Sequence, residues 1–439
     1  MVMSSIQQLR TLLSLAPAEA RLVDLYGSQP GALSAQRQRY AGLLDCFQSQ
    51  FPELAAVHGV RLFSTPGRTE VGGNHTDHNA GRVLAAAVNR DVLAAASSTR
   101  DGLVTICSEG YPPLQVDTRS LGMVDGERGT TPSLVRGVCA RLQQLGYPLG
   151  GFAACMTSSI PTGAGLSSSA AFEVQVITIL EHLLQLEPID PLTKAQIARF
   201  AENEYFGKPC GLMDQTTCAV GGFVTIDFQD FQHPVVHKVD YDFASSGYAM
   251  VIVETGGSHA DLTEDYASVQ QEMRNVARAL GGQVLRPFSR EQVVEQMGAL
   301  KSAVNERAVL RALHFFADNQ RVIDQVQALE AGCFPRFLEL VNASGASSWM
   351  LLQNGYSPRC PTNQGITLAQ AATREWAERR PGSALPAAWR VHGGGFAGTI
   401  QAFIPQQELE DYIEFMEGIF GAGACYPVLI RTLGSTPVF

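Results

Sequence analysis

The stretch Pro161-Thr162-Gly163-Ala164-Gly165-Leu166-Ser167-Ser168-Ser169-Ala170-Ala171 combines two glycines, three consecutive serines and the start of an apolar run. Glycines let a backbone turn sharply and come close to a ligand. The serines add small hydroxyls. The first turn of a helix presents unsatisfied N–H groups and positive partial charge. Together these features suit an anion such as a triphosphate. The lysine of GxxxxGK(S/T) and the spacing of GxGxxG are both absent, so a phosphate held here is held by amides, hydroxyls and a metal. A glycine-serine loop capping a core helix is the plainer reading. Two further segments concentrate polar side chains: Gly67-Arg68-Thr69-Glu70-Val71-Gly72-Gly73-Asn74-His75-Thr76-Asp77-His78, and Cys210-Gly211-Leu212-Met213-Asp214-Gln215.

The elements around these segments read as mixed α and β. Residues 103–107 (LVTIC), 223–228 (FVTIDF) and 249–253 (AMVIV) are rich in β-branched residues and predict strands. Phe172 to Leu186 predicts a buried apolar helix directly after the serines. Asp190-Pro191 supplies an N-cap and a first-turn proline for a helix to about Tyr205, which Gly207 and Pro209 end. Leu262, Tyr266, Val269, Met273, Val276 and Leu280 recur at helical spacing. More helix is expected from about Ser302 to Gln353, then a Gly393–Gly395 turn and a strand over 398–404. The first twenty residues, interrupted by Arg10, read as an amphipathic helix rather than a signal peptide. A boundary placed near residues 228–250 gives two expected domains, 1–235 and 236–439.

The chain has 439 residues, 45% hydrophobic and 17% charged, enough apolar material for a sizeable core. No run approaches the ~18 apolar residues of a membrane-spanning helix. Lys and Arg number 32 against 42 Asp and Glu, a net charge of −10. That balance argues against nucleic acid as a partner. The nine cysteines are scattered, with no CxxC pair, which fits a reducing cytoplasm and argues against structural zinc.

Taken in order, the segment from Gly67 to His78, the glycine-serine loop, CGLMDQ and the terminal GGGFAG resemble the GHMP kinases, and within them the galactokinase family. The matching motifs run from residue 66 to 399. The resemblance implies an α+β fold of two domains with the active site in the cleft between them. The N-terminal domain would be like domain 2 of ribosomal protein S5 and the C-terminal one ferredoxin-like. It implies transfer of phosphate from ATP to a sugar, most simply galactose to galactose 1-phosphate, with Mg²⁺ on the phosphates. A cytoplasmic protein acting on a small-molecule sugar and ATP is expected, with no nucleic acid or membrane as partner, and a monomer rather than an obligate oligomer.

Residue by residue, the resemblance gives Asp214 and Arg68 the catalytic positions. Asn74, His75, Asp77, Gly211, Asp214 and Tyr266 fall on sugar-binding positions. Pro161, Gly163, Ala164, Gly165, Leu166, Ser167 and Ser168 would cradle the nucleotide. Ser169 and Glu202, the latter in Ala201-Glu202-Asn203-Glu204, would hold the metal. A carboxylate within reach of the attacking hydroxyl can accept its proton. A neighbouring arginine would lower its pKa and stabilise the transferring group. Each residue also has a blander role. Asp214 suits a helix cap, Arg68 an ion pair, and Glu202 a solvated helix face. His75, Asp77 and His78 resemble a small metal cluster, and Tyr266 continues an apolar stripe.

The chain departs from the family pattern in places. Galactokinases usually carry Asn where Glu70 stands and Ile-Gly-Glu where Gly72-Gly73-Asn74 stands. His78 replaces a Tyr and Ala397 a Gly. Thr131-Pro132-Ser133-Leu134 stands where aromatics often approach the adenine. These departures leave the reaction class alone and open the acceptor to other sugars, such as an amino sugar, a pentose or a uronic acid. A catalytically silent sugar-binding regulator is the alternative of another class. Intact Arg68, Asp214, Glu202 and serines speak against it.

Overall fold

The structure is a computed structural model that describes residues 5–29, 31–57, 59–161, 163–257, 262–380 and 386–439. Thr162 of the glycine-serine loop lies outside the described residues.

The N-terminal sequence forms α1 (Ile6–Leu13), α2 (Ala16–Tyr26), α3 (Ala32–Gln50) and α4 (Pro52–Val57). The single amphipathic helix expected over the first twenty residues is parted at Ser14 and Leu15 into α1, opened by a capping box of Ser5 and Gln8, and the start of α2. Next come β1 (Arg61–Gly72), β2 (Arg82–Thr99), β3 (Leu103–Ser108) and β4 (Leu114–Asp117). Helix α5 (Thr131–Gln144) leads to β5 (Gly151–Ser158). Three helices follow, α6 (Ser168–Leu183), α7 (Pro191–Phe200) and α8 (Met213–Val220), and then β6 (Phe223–Asp227) and β7 (Val235–Val239).

These strands form one sheet in the order β12-β1-β2-β5-β3-β4, with β6 on β2 and β7 on β6. Strand β1 is buried on both faces along nearly its whole length, its polar residues included. Leu62 packs against Tyr40 and Phe47 of the N-terminal helices, while Phe63 faces the core that includes Val174 and Ile177 of α6. Two register shifts break the β1–β2 ladder, between Pro66 and Arg68 and between Glu70 and Gly72. Bulges of this kind re-aim side chains, and here they flank Arg68 and Glu70.

The second half builds β8 (Tyr248–Glu254), α9 (Thr263–Ala279), α10 (Arg290–Glu295), α11 (Met297–Ala303), α12 (Glu306–Glu330), α13 (Phe334–Ser347) and α14 (Gly365–Glu378). Strands β9 (Ala388–His392) and β10 (Thr399–Pro405), helix α15 (Leu409–Phe420), β11 (Cys425–Val428) and β12 (Thr436–Pro437) complete the chain. The second sheet runs β11-β8-β10-β9, antiparallel throughout. Counted within that sheet the order is 4-1-3-2 with helices after the first and third strands, the ferredoxin-like arrangement expected from the sequence.

The predicted helix over 172–186 begins earlier, at Ser168, because the serines themselves form its first turn. Expected helix over 302–353 divides at Gly332, whose φ of +65° ends α12, before Pro335 in the first turn of α13. The expected division at 235/236 falls at the first residue of β7, which stays hydrogen-bonded to β6. The tail returns to the first sheet as β12, pairing Phe63 with Pro437. One continuous core joins the sheets, from Val71 and Ile177 through Phe337 to Met250 and Phe403.

Candidate functional site

Arg68, released by the first bulge of β1, lies 7% exposed against Asp214 in the first turn of α8. Its Nε donates to Oδ1 at 2.7 Å and its Nη2 to Oδ2 at 2.6 Å, a bidentate pair. The Asp214 side chain is 32% exposed. It is no helix cap. Desolvation pushes its pKa up, but the charge and hydrogen bonds of Arg68, with Ser167 and then Lys208, outweigh that and hold it below the usual carboxylate range.

The glycine-serine loop reaches the same spot. Gly163 and Gly165 have φ of +83° and +71°, and Ser167, at +59°, sits at the N-cap of α6. Ser167 does not cap its helix. Its hydroxyl donates to Asp214 Oδ2, so the first N–H groups of α6 keep no side-chain cap and stay available to an anion. The loop is strapped to β1: the Arg68 N–H donates to Leu166 O at 3.0 Å and its guanidinium to Gly165 O. A Cβ on Gly67 would meet Leu166 O at 2.7 Å, so only glycine permits this approach.

Glu202 lies in a π-helical turn, 201–206, that continues α7, and is 2% exposed rather than solvated. Ser169 Oγ donates to its Oε1 at 3.3 Å, Lys208 Nζ to Oε1 at 3.1 Å and Gln215 Nε2 to Oε2 at 2.8 Å. Glu173, one helical turn beyond Ser169, is fully buried and neither carboxyl oxygen has a partner among the described residues. Burial, then the charge of Glu202, push its pKa well above the ordinary carboxylate value. Among the described residues no three His, Cys, Asp or Glu side chains form a metal cluster. Magnesium needs less, since it binds through one or two protein oxygens plus phosphates and water. The Ser169 hydroxyl and the Glu202 carboxylate, 3.3 Å apart, fit such a hard cation.

The expected sugar positions gather around the Gly393–Gly395 turn. His75, at φ +58°, donates from Nε2 to Gly394 O at 2.8 Å. Burial, then the charge of His78, hold its pKa down to about 4, so it is neutral at pH 7. Tyr266 is half-buried; its ring packs edge-on to Phe396 and its hydroxyl donates to Gly395 O at 3.1 Å. A Cβ on Gly394 would lie 2.5 Å from that ring. A Cβ on Gly211 would lie 3.0 Å from Asp77 Oδ2, which brings the CGLMDQ turn against the first motif. Asn74 is fully buried and bonded to Glu70 Oε1 and Gly393 O at 2.9 and 2.7 Å. Pro161 accepts from the Ala164 N–H at 3.4 Å; Ser168 is exposed at the start of α6.

Sequence reasoning missed the groups behind the site. His392, on β9, is one. Thr399 Oγ1 donates to Ala164 O at 3.5 Å, so it accepts from His392 Nδ1–H at 2.8 Å. His392 Nε2 is then left to accept from Thr69 Oγ1 at 3.0 Å. This chain ties the second sheet to β1 and to the loop. Burial, then Arg68 and Arg390, bring the His392 pKa down to about 3. Glu173 had a legible signal, an acidic residue inside an apolar helix. Lys208 and His392 had none, because their partners lie on distant elements.

Two family models match the chain: "GHMP kinases N terminal domain" over residues 133–222 and "Galactokinase galactose-binding signature" over 45–98. The chain is 31% identical over 375 residues to a galactokinase of Actinobacillus pleuropneumoniae, covering 82% of this chain and 89% of that one. Among solved structures it is similar to Lactococcus lactis galactokinase complexed with galactose, with a TM-score of 0.73 and 25% identity. That match covers 89% of this chain and 98% of the other. Methanococcus jannaschii mevalonate kinase shares the fold, at a TM-score of 0.60 and 13% identity over 85% of this chain and 99% of that one.

Proposed function

The chain belongs to the galactokinase family of GHMP kinases, and from that premise we propose how its own residues move the γ-phosphoryl group of ATP to the C1 hydroxyl of galactose. The observation that carries the reading is the meeting of Arg68, Asp214 and Ser167 at the uncapped start of α6.

The N–H groups of that helix start and the loop amides take the phosphates of the nucleotide. The attacking hydroxyl must give up a proton as its oxygen approaches phosphorus. A carboxylate has about four lone-pair sites. On Asp214, Arg68 fills two and Ser167 one, which leaves about one for the hydroxyl. A carboxylate with a lowered pKa is a weak base. Its work is to align the hydroxyl and receive the proton late, once the new bond has formed. Arg68 keeps N–H groups to spare and lies where charge develops on the transferring group. His75, Asp77 and Tyr266 bound the sugar, with Gly211 and the Gly393–Gly395 turn giving backbone close approach.

Ser169 and Glu202 would hold Mg²⁺, which when bound neutralises phosphate charge. The retained transfer groups weigh against a silent regulator. Another sugar, such as an amino sugar, a pentose or a uronic acid, is the second reading, since Asn74 stands where galactokinases usually carry an acid. We also read the protein as a monomer in the cytoplasm; the nine free cysteines fit the reducing compartment. No described helix is long and apolar enough to cross a membrane.

The test is ADP release with Mg²⁺–ATP and a panel of sugars. Turnover on galactose above its epimers supports the reading, a preference for another sugar moves it to that acceptor, and no turnover on any sugar rejects it.

A further inference from the structure

Every polar atom of Asn74 is taken by the protein. Its amide donates to Glu70 Oε1 at 2.9 Å and Gly393 O at 2.7 Å. Its Oδ1 accepts from Asn354 Nδ2 at 2.8 Å and from Ser348 Oγ at 3.4 Å. Its backbone N–H donates to Asp318 Oδ2 at 2.8 Å, and its carbonyl accepts from His314 Nε2 at 2.9 Å. The residue is fully buried. The orientation of the amide is unambiguous, because a carboxylate and a carbonyl face one end and two donors face the other. Behind it, Glu70 Oε1 also accepts from Arg390 Nη2 at 2.7 Å, and Arg390 is fully buried.

A carboxylate at 74 would confront the Glu70 carboxylate and the Gly393 carbonyl with no hydrogen between them. An amide at 70 would remove the carboxylate that is ion-paired with Arg390. The acid at 70 and the amide at 74, each a departure from the usual galactokinase pattern, are therefore one change. Charge and amide have traded places across a hydrogen bond.

We propose that Asn74 is a positioning residue that fixes the Gly393–Gly395 turn, that Glu70 and Asn74 require each other, and that position 74 reads no substituent of the sugar. The inference rests on the galactokinase reading for its last clause. Its consequence is a wider acceptor range: hexoses altered at the substituent nearest residue 74 incur no unpaired protein group there.

Two experiments test it. In the first, thermal midpoints are measured for E70Q, N74D and the isosteric exchange E70Q/N74D. N74D should lose about 5 °C or more, and the double variant should be more stable than N74D alone. Additive losses would overturn the mutual requirement. In the second, kcat/KM is measured for galactose and for its 2-, 3-, 4- and 6-deoxy analogues with wild type and N74A, and with E70Q/N74D should N74A not fold. The fall caused by deleting each hydroxyl should agree between wild type and variant within about twofold. A hydroxyl whose deletion stops mattering in the variant would show that residue 74 reads it, and would overturn the specificity clause. No turnover by wild type on any hexose would sink the galactokinase reading and the specificity clause with it, while the thermal experiment would still decide the exchanged pair.

Discussion

In the proposed mechanism Asp214 carries the chemistry that Asn74 does not. Asp214→Asn removes the charge and the proton acceptor while keeping the shape. It should cut kcat by roughly 10²-fold or more with little change in the sugar KM, as steady-state kinetics will show. His392 makes a prediction about stability. Its folded pKa of about 3 lies below the unfolded value near 6.5. The neutral form is favoured by folding, so the contribution is whole above about pH 6.5 and shrinks as pH falls towards 3. Urea titrations at pH 7.5 and 5 should show wild type losing more stability than His392→Gln between those values. At this scale the motif residues were legible because their types and spacing lie within a dozen residues, as with Arg68 to His78. The pairing of Glu70 with Arg390 was not, since it joins positions 320 apart in sequence. The blander reading of Glu202 failed because a polar residue in a helix is solvated only if nothing packs over it, and here Lys208, Gln215 and Ser169 do.

The loop and its helix work as one element. Gly165 has φ of +71°, and a Cβ there would lie 3.2 Å from His392 Nδ1. Gly165→Ala should raise the KM for ATP about tenfold through the strain of a left-handed alanine, leaving the sugar KM nearly unchanged. The opposite pattern is expected at Gly394, where a Cβ meets the Tyr266 ring at 2.5 Å. Gly394→Ala should raise the sugar KM and spare that for ATP. Elements with a strong period were legible, such as α9 from its apolar stripe and β8 from its run of β-branched residues. The start of α6 was not, because three serines carry no periodicity, and Ser167 and Ser169 give their hydroxyls to Asp214 and Glu202 on other elements. The bulges in β1 were equally hidden, since register is a property of two strands.

Across the whole molecule the two sheets are joined by the tail. Arg431 is buried beside Asp91, with Nη1 donating to Ser64 Oγ at 2.6 Å and lying 3.5 Å from Asp91 Oδ2. Tyr26 and Arg39 reach the same carboxylate from the N-terminal helices, at 2.6 and 3.0 Å. Arg431→Ala leaves Asp91 short of a counter-charge and should cost about 3–5 kcal/mol in urea denaturation. Cross-bracing of this kind defeats a linear reading of domains, because a segment near residue 430 belongs to a sheet begun at residue 61. It also bears on synthesis. Val438 donates its N–H to Leu62 O, and β12 closes the outer edge of β1. While ribosomes are still translating the second sheet, nascent chains carry that edge bare, with unpaired amides of the sort that recruit other strands. A chain stopped short of residue 436 would leave Phe63 and Ser64 without their partners Pro437 and Thr436 on that edge.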